Sequence, residues 1–278
     1  MSVRPWKALA LRSGLVLLAA VAGVGAWQLS LRPSHERRWV PEQAVLPQVT
    51  ITGDTARVAG LRDFAHTSDT TAVRRYVRRT YDLRRIRRVW YVLSPFNPDW
   101  RGPAHSFFSF EFEGGEFVSV SVEARREVGE AFSTWRGALR QYELIVVVGS
   151  ERDLVGLRAV TWDDPVYLYP GRATPAQART LFVALLRRAE ALERQPEFYN
   201  TLTNNCTTNL LDAVNAVRER PIAYGLPVLL PGYSDQLAYE EGLIDTDLPL
   251  DRARVAFRIN ERAMAAARLP DFSRRIRE

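Results

Sequence analysis

The chain has 278 residues, 46% hydrophobic and 25% charged, the balance of an ordinary folded protein rather than a disordered or collagen-like one. Its single cysteine, Cys206, excludes an intramolecular disulfide, and the scattered His35, His66 and His105, without CxxC or HExxH, match no common zinc-site spacing, so no metal and no cofactor is expected. The net charge of +6, nearly all from arginine, accompanies no recognised nucleic-acid motif and is read as favouring anionic phospholipid headgroups.

In chain order, Arg4, Lys7 and Arg12 precede an uncharged apolar stretch over residues 13–31, long enough to cross a bilayer core as a helix. The basic flank predicts a cytoplasmic N-terminus and an exported remainder, with Trp27 at the outer interface. The stretch is long for a signal-peptide core, so an uncleaved anchor is favoured over cleavage after the small residues Val24 and Ala26. Residues 32–48, rich in arginine and proline, read as a linker, and the globular domain is expected over 49–245. Short strands are expected at residues 49–52 and 58–64. Val73, Tyr76 and Val77 recur at helical spacing among arginines, which predicts a solvated helix over residues 71–81.

Residues 88–93 form a strand pattern that ends in a turn-rich loop over 94–103. A hairpin follows: residues 104–112, a turn at Glu113-Gly114-Gly115-Glu116, and a return strand over 117–123. It sets His105 near residues 123–125. A three-residue loop places Glu123 on the His105 face, whereas a two-residue loop turns it away. A carboxylate on the imidazole would fix its tautomer. Residues 142–148 form a buried strand pattern, and residues 166–169 another. Thr174 with Pro175 starts a helix whose apolar stripe runs from Leu181 to Leu192, before Pro196. The arginine-rich segment 246–278 is expected to hold a helix at residues 263–267.

The stretch Thr201-Leu-Thr-Asn-Asn-Cys206-Thr-Thr-Asn209 precedes Leu210, Leu211, Val214 and Val217 at helical spacing. Thr203, Asn204 or Asn205 can cap the helix, which places Cys206 at its N-terminus. The macrodipole there favours an anion, and the thiolate is the nucleophilic form. A buried structural cysteine is the competing reading. Polar flanks and an upstream histidine weigh against it. His66 is a competing base, and His35 falls in the linker.

The order of histidine strand, hairpin, helices and cysteine helix resembles a circularly permuted papain-like fold of the NlpC/P60 type. More closely, the chain resembles the Lnb N-terminal periplasmic domain family, linked to bacterial lipoprotein N-acyltransferases. The likeness is carried by Arg79-Thr-Tyr-Asp-Leu83, Ala104-His105-Ser-Phe-Phe-Ser-Phe110, Ser121-Val-Glu-Ala-Arg-Arg-Glu127, Glu151-Arg-Asp153, Val166-Tyr-Leu-Tyr-Pro170, Phe198-Tyr-Asn-Thr-Leu-Thr-Asn-Asn-Cys-Thr-Thr-Asn209 and Leu230-Pro-Gly-Tyr233, within residues 50–245. It implies an α+β domain with an antiparallel sheet and a nucleophile helix, Cys206 and His105 as the catalytic pair, and a bacterial envelope setting. Several membrane spans follow the domain in those acyltransferases. No such apolar run follows Leu31 here, which leaves a related thiol hydrolase or transferase open.

The expectation is therefore a monomeric, single-pass protein of the bacterial inner membrane with its main domain in the periplasm, acting on lipid or lipoprotein acyl groups and not on nucleic acid. Cys206 attacks a carbonyl, His105 handles the proton, Glu123 orients His105, and helix N-terminal amides with Asn204 or Asn205 stabilise the oxyanion. A cell-wall peptide amidase and a non-catalytic envelope binding module are the alternatives.

Overall fold

The computed structural model describes residues 5–68, 71–97, 99 and 101–278. Arg4 of the basic flank and Pro98 and Trp100 of the turn-rich loop lie outside the described residues. Helix α1 (Pro5–Ser30) contains one stretch, Arg12–Ser30, that is long and apolar enough to cross a membrane, and none of it is buried against the domain. At 1.5 Å per residue those 19 residues extend about 28 Å, close to a bilayer core.

The domain is built on strands β1 (Gln48–Thr52), β2 (Thr55–Arg62), β5 (Tyr76–Asp82), β6 (Ile86–Pro95), β7 (Ala104–Phe112), β8 (Glu116–Arg125), β9 (Glu143–Gly149) and β10 (Tyr167–Pro170). They form one sheet in the order β1-β2-β9-β8-β7-β6-β10, with β5 also paired to β2. β3 (Ala65–His66) and β4 (Ala72–Val73) form a separate two-stranded ribbon. The expected antiparallel sheet is in fact mixed, because β2 meets β9 in parallel at Arg62 and Gly149. A parallel neighbour needs a crossover, and the long excursion through β5 to β8 supplies it.

The expected helix over residues 71–81 is instead β4 and β5. Val77, Thr80 and the two tyrosines of this stretch are β-favouring residues, and β5 finds a hydrogen-bonding partner in β2 along six positions, which outweighs the helical spacing. Arg78 and Arg79, on opposite faces of that strand, are both exposed.

Helices cover both faces of the sheet. Helix α4 (Pro175–Arg194) starts at a capping box in which Thr174 and Gln177 bond reciprocally. It buries Leu181, Phe182, Leu185, Leu186, Ala189 and Leu192 against Phe108, Phe110 and Phe112 of β7 and Val118, Val120 and Val122 of β8. Helix α5 (Cys206–Asn215) joins this side through Leu210 and Ala213. On the other face lies a second core, holding Phe107, Ile145 and Val147 of the sheet, Leu154 and Val155, and, from the arginine-rich tail, Ile259, Ala263, Phe272 and Ile276. The tail is therefore packed structure, folded onto the domain.

Helix α3 (Glu151–Gly156) runs directly into a widened turn at Leu157–Thr161, where Trp162 N bonds Leu157 O five residues back. Such π-type widening re-aims the side chains that follow it. The stretch 32–48, expected as a linker, is docked on the domain. Arg37 pairs with Glu127 and Glu143, Trp39 is buried beneath the Arg125 guanidinium, and Gln43 is buried.

The start of α3 is tied to β2 by charge. Asp153, wholly buried, accepts both forks of Arg62 at 2.9 and 3.0 Å, the Phe64 amide at 2.9 Å and His66 Nε2 at 2.9 Å. Asp153→Ala is expected to destabilise the fold by about 3–5 kcal/mol, because it strands the Arg62 charge in the interior. Urea unfolding of the full chain in detergent micelles measures this.

Candidate active site

The hairpin β7–β8 sets the site. Phe112 pairs with Glu116, so the loop is Glu113-Gly114-Gly115, three residues long. Both glycines have positive φ, which L side chains rarely adopt. Three residues is the length that sends Glu123 to the His105 face, and the two side chains do meet, at 3.8 Å between His105 Nε2 and Glu123 Oε1. Ser121 stands between them. His105 Nε2 lies 2.7 Å from Ser121 Oγ, and Ser121 donates to Glu123 Oε1 at 2.9 Å. Gln43 donates to the other carboxylate oxygen at 3.1 Å.

Cross-strand pairing between β7 and β8 stops at Phe108 and Val120. Beyond it, residues 104–107 and 121–125 no longer pair with each other, and a cavity of about 290 Å³ occupies this opening. His105 and Glu123 belong to the sheet face that carries Phe107, whereas α5 packs on the face that carries Phe108. The opening lets residues of both faces line one space, and Cys206 lines it together with His105 and Glu123.

Cys206 is the first residue of α5 and only 5% exposed. Asn205 is the cap: its Oδ1 accepts the Thr208 amide at 2.9 Å, and Thr208 Oγ1 accepts the Asn205 amide at 2.8 Å. Its Nδ2 donates to Thr201 O at 2.6 Å. Asn204 Nδ2 donates to Phe198 O and Glu197, and its Oδ1 accepts from Asn209. Both asparagine amides are thus engaged in shaping the loop and the cap. The amides of Cys206 and Thr207 have no acceptor among the described residues, so these are the free donors at the helix start. Thr207 Oγ1 lies 3.6 Å from Cys206 Sγ and 3.2 Å from Ser106 Oγ, which pins the first turn of α5 to the strand residue next to His105.

Two buried arginines that sequence reasoning did not single out control the charge state. Burial, with repulsion from Arg158 and Arg62, pushes His105 down to about 3 despite the attraction of Glu123. For Glu123, burial opposes ionisation, but Arg62, His105 and Arg158 outweigh it and hold the carboxyl at about 2. At neutral pH the pair is a carboxylate and a neutral imidazole. An ionised Glu123 only accepts, so the Ser121 proton goes to it and the Ser121 oxygen accepts Nε2–H of His105. The ring's Nδ1 then carries the free lone pair.

The competing histidines fall elsewhere. His66 is held by Asp153, and His35 Nδ1 lies 3.3 Å from an Arg125 nitrogen. Neither lines the cavity. Among the described residues no hydrogen bond joins Cys206 Sγ to His105.

The Lnb N-terminal periplasmic domain family matches residues 72–230, which hold Cys206, His105, Ser121 and Glu123. The chain belongs to this family. Among curated proteins and solved structures none matches it. The Lnb N-terminal domain here thus extends beyond the matched span, since Gln43 and the tail packed on the second face lie outside it. Gln43, Ser121 and Arg158 were not assigned roles from sequence. Ser121 and Glu123 share a strand face in the alternating pattern, a signal that was present, whereas Gln43 and Arg158 reach the site only through docking and the widened turn.

Two outcomes test the site. Asn205→Ala is expected to cost about 1 kcal/mol through the lost cap, measured by urea unfolding. Folded Glu123 stays charged below its ordinary value of 4.5 down to about 2, so its contribution is full above 4.5 and is lost as pH falls towards 2. In Glu123→Gln that part of the pH dependence of stability is expected to vanish. The fall between 6.5 and about 3 that comes from protonation of unfolded His105 should persist.

Proposed function

We propose that the domain is a thiol acyltransferase or acyl hydrolase that works through a Cys206 thioester, within a permuted papain-like arrangement. One observation carries the reading: the cysteine at a capped helix start and a neutral, carboxylate-oriented histidine line the same cavity. In the proposed step, His105 Nδ1 takes the Sγ proton as Sγ bonds a carbonyl carbon. The oxyanion is received by the free helix N-terminal amides of Cys206 and Thr207, without the expected help of Asn204 or Asn205, whose side chains are engaged in the loop and the cap. Collapse breaks the ester C–O bond, and His105 returns the proton to the departing alkoxide. The thioester then passes its acyl group to an amine or to water, whose proton His105 accepts and hands back to the thiolate. The absence of a preformed Sγ–imidazole hydrogen bond is compatible with this, because catalytic contacts often tighten only around substrate.

The lining favours an acyl group over a peptide stem. Phe96, Phe132, Trp162, Val122 and Tyr199 wall the cavity beside Cys206, and Arg126 and Arg158 supply positive charge for an anionic headgroup. A second, largely apolar cavity of about 250 Å³ flanks α5 on its other side and touches Thr207 and Ser106. We place the chain as a single-pass inner-membrane protein with α1 as the span and the domain in the periplasm, as the family's description and the apolar helix support.

The test is intact mass after incubation of the full chain with phospholipid vesicles, beside Cys206→Ala and His105→Ala. A fatty-acyl mass gain is expected in the parent chain, lost in Cys206→Ala and strongly slowed in His105→Ala. No gain, with a thiol that still alkylates quickly, would point to peptide amide substrates. An inert thiol would point to a non-catalytic binding module.

A further inference from the structure

Around the loop that leads into Cys206 the surface exposes several large apolar side chains. Trp135 of the short helix α2 (Thr134–Ala138) is 82% exposed, the most exposed large apolar side chain among the described residues. Leu139, Leu202, Tyr224, Leu226 and Trp27 are exposed as well. Hydrogen bonds show that these residues form one neighbourhood. Gln28 Nε2, at the end of α1, donates to Leu139 O at 2.7 Å. Thr201 Oγ1 donates to Thr134 O at 2.8 Å, and Tyr224 OH donates to Leu202 O at 2.5 Å. The patch therefore begins where the apolar helix ends and reaches the loop that carries the nucleophile.

We propose that this face lies in the interfacial zone of the same bilayer that α1 crosses, with Trp135, Leu202 and Leu226 inserted among the headgroups and upper acyl chains. The inference rests on the reading of α1 as a membrane span. Continuity selects the occupant, because a bilayer around α1 is already in contact with the first residues of the patch. Charge agrees: Arg32 and Arg140 border it, and neither side chain has a carboxylate partner among the described residues, which suits phosphate headgroups. The residue types agree too, since tryptophan and tyrosine favour the interface between water and acyl chains. Function gains from it: Phe132, one residue before the α2 cap, lines the Cys206 cavity and meets Phe96 edge to face, so the cavity wall begins at the lipid-facing surface. A lipid could reach the thiol without passing through water.

The experiment uses the full chain with Cys206→Ser and one new cysteine at a time: Leu17→Cys in α1, Trp135→Cys and Leu226→Cys in the patch, and Val255→Cys on the exposed surface of the C-terminal half. Each is labelled with an environment-sensitive nitrobenzoxadiazole dye and reconstituted in phosphatidylethanolamine–phosphatidylglycerol vesicles containing lipid-borne nitroxide quenchers. Quenching at 17, 135 and 226, with none at 255, is the expected result. Quenching at 17 but not at 135 or 226 overturns the proposed face while leaving the span intact, and would assign the patch to a protein partner. No quenching at 17 removes the span, and the inference with it.

Discussion

The bidentate pair between Arg62 and Asp153 is the constraint on which both the architecture and the site depend. It joins the end of β2, the start of α3 and the ribbon that holds His66. The same guanidinium acts on Glu123 and His105, so a structural ion pair also sets the charge state of the proposed catalytic group. A buried ion pair is a poor source of net stability but is costly to break, so its value lies in holding a cation where water would otherwise screen it. The positive field from Arg62 and Arg158 keeps a carboxylate charged and an imidazole neutral within 3.8 Å of each other.

That field separates this site from a resting thiolate–imidazolium pair. In the proposed reading, a neutral ring with its proton fixed on Nε2 by Ser121 and Glu123 is a base in waiting. In the proposed chemistry it becomes charged only while the substrate carbonyl is being attacked. The buried surroundings that disfavour the imidazolium also strengthen each hydrogen bond meant to stabilise the developing oxyanion. The helix start contributes free amides, and the loop asparagines contribute its shape.

Much of this was legible in the residues. The hairpin, the buried strand β9, the capped helix α4 and the cysteine at the start of α5 follow from alternation, helical spacing and capping chemistry, all of which act within a few residues. The loop of three residues between β7 and β8 was one of two counts the turn allowed, and it decided that Glu123 meets His105. What escaped was tertiary. Residues 71–81 carry helical spacing and strand-forming side chains together, and only the free edge of β2 resolves the conflict. Gln43 sits in a stretch whose prolines and arginines read as a tether. Arg158 depends on the widened turn at Leu157–Thr161, which no residue pattern announces. The parallel contact between β2 and β9 likewise follows from the path of the chain between them.

The docked stretch between α1 and β1 has a mechanical meaning. Arg37, Trp39 and Gln43 fasten it along the domain, and Gln28 fastens the end of α1 to the α2 region. These ties shorten the tether on which the domain could swing. If α1 is held in a membrane, the cavity keeps a fixed height and tilt above it, and encounter becomes a search in two dimensions. For the proposed acyl transfer, the governing quantity would then be substrate molecules per unit of membrane area, and diluting the membranes in more buffer would leave the rate per domain unchanged.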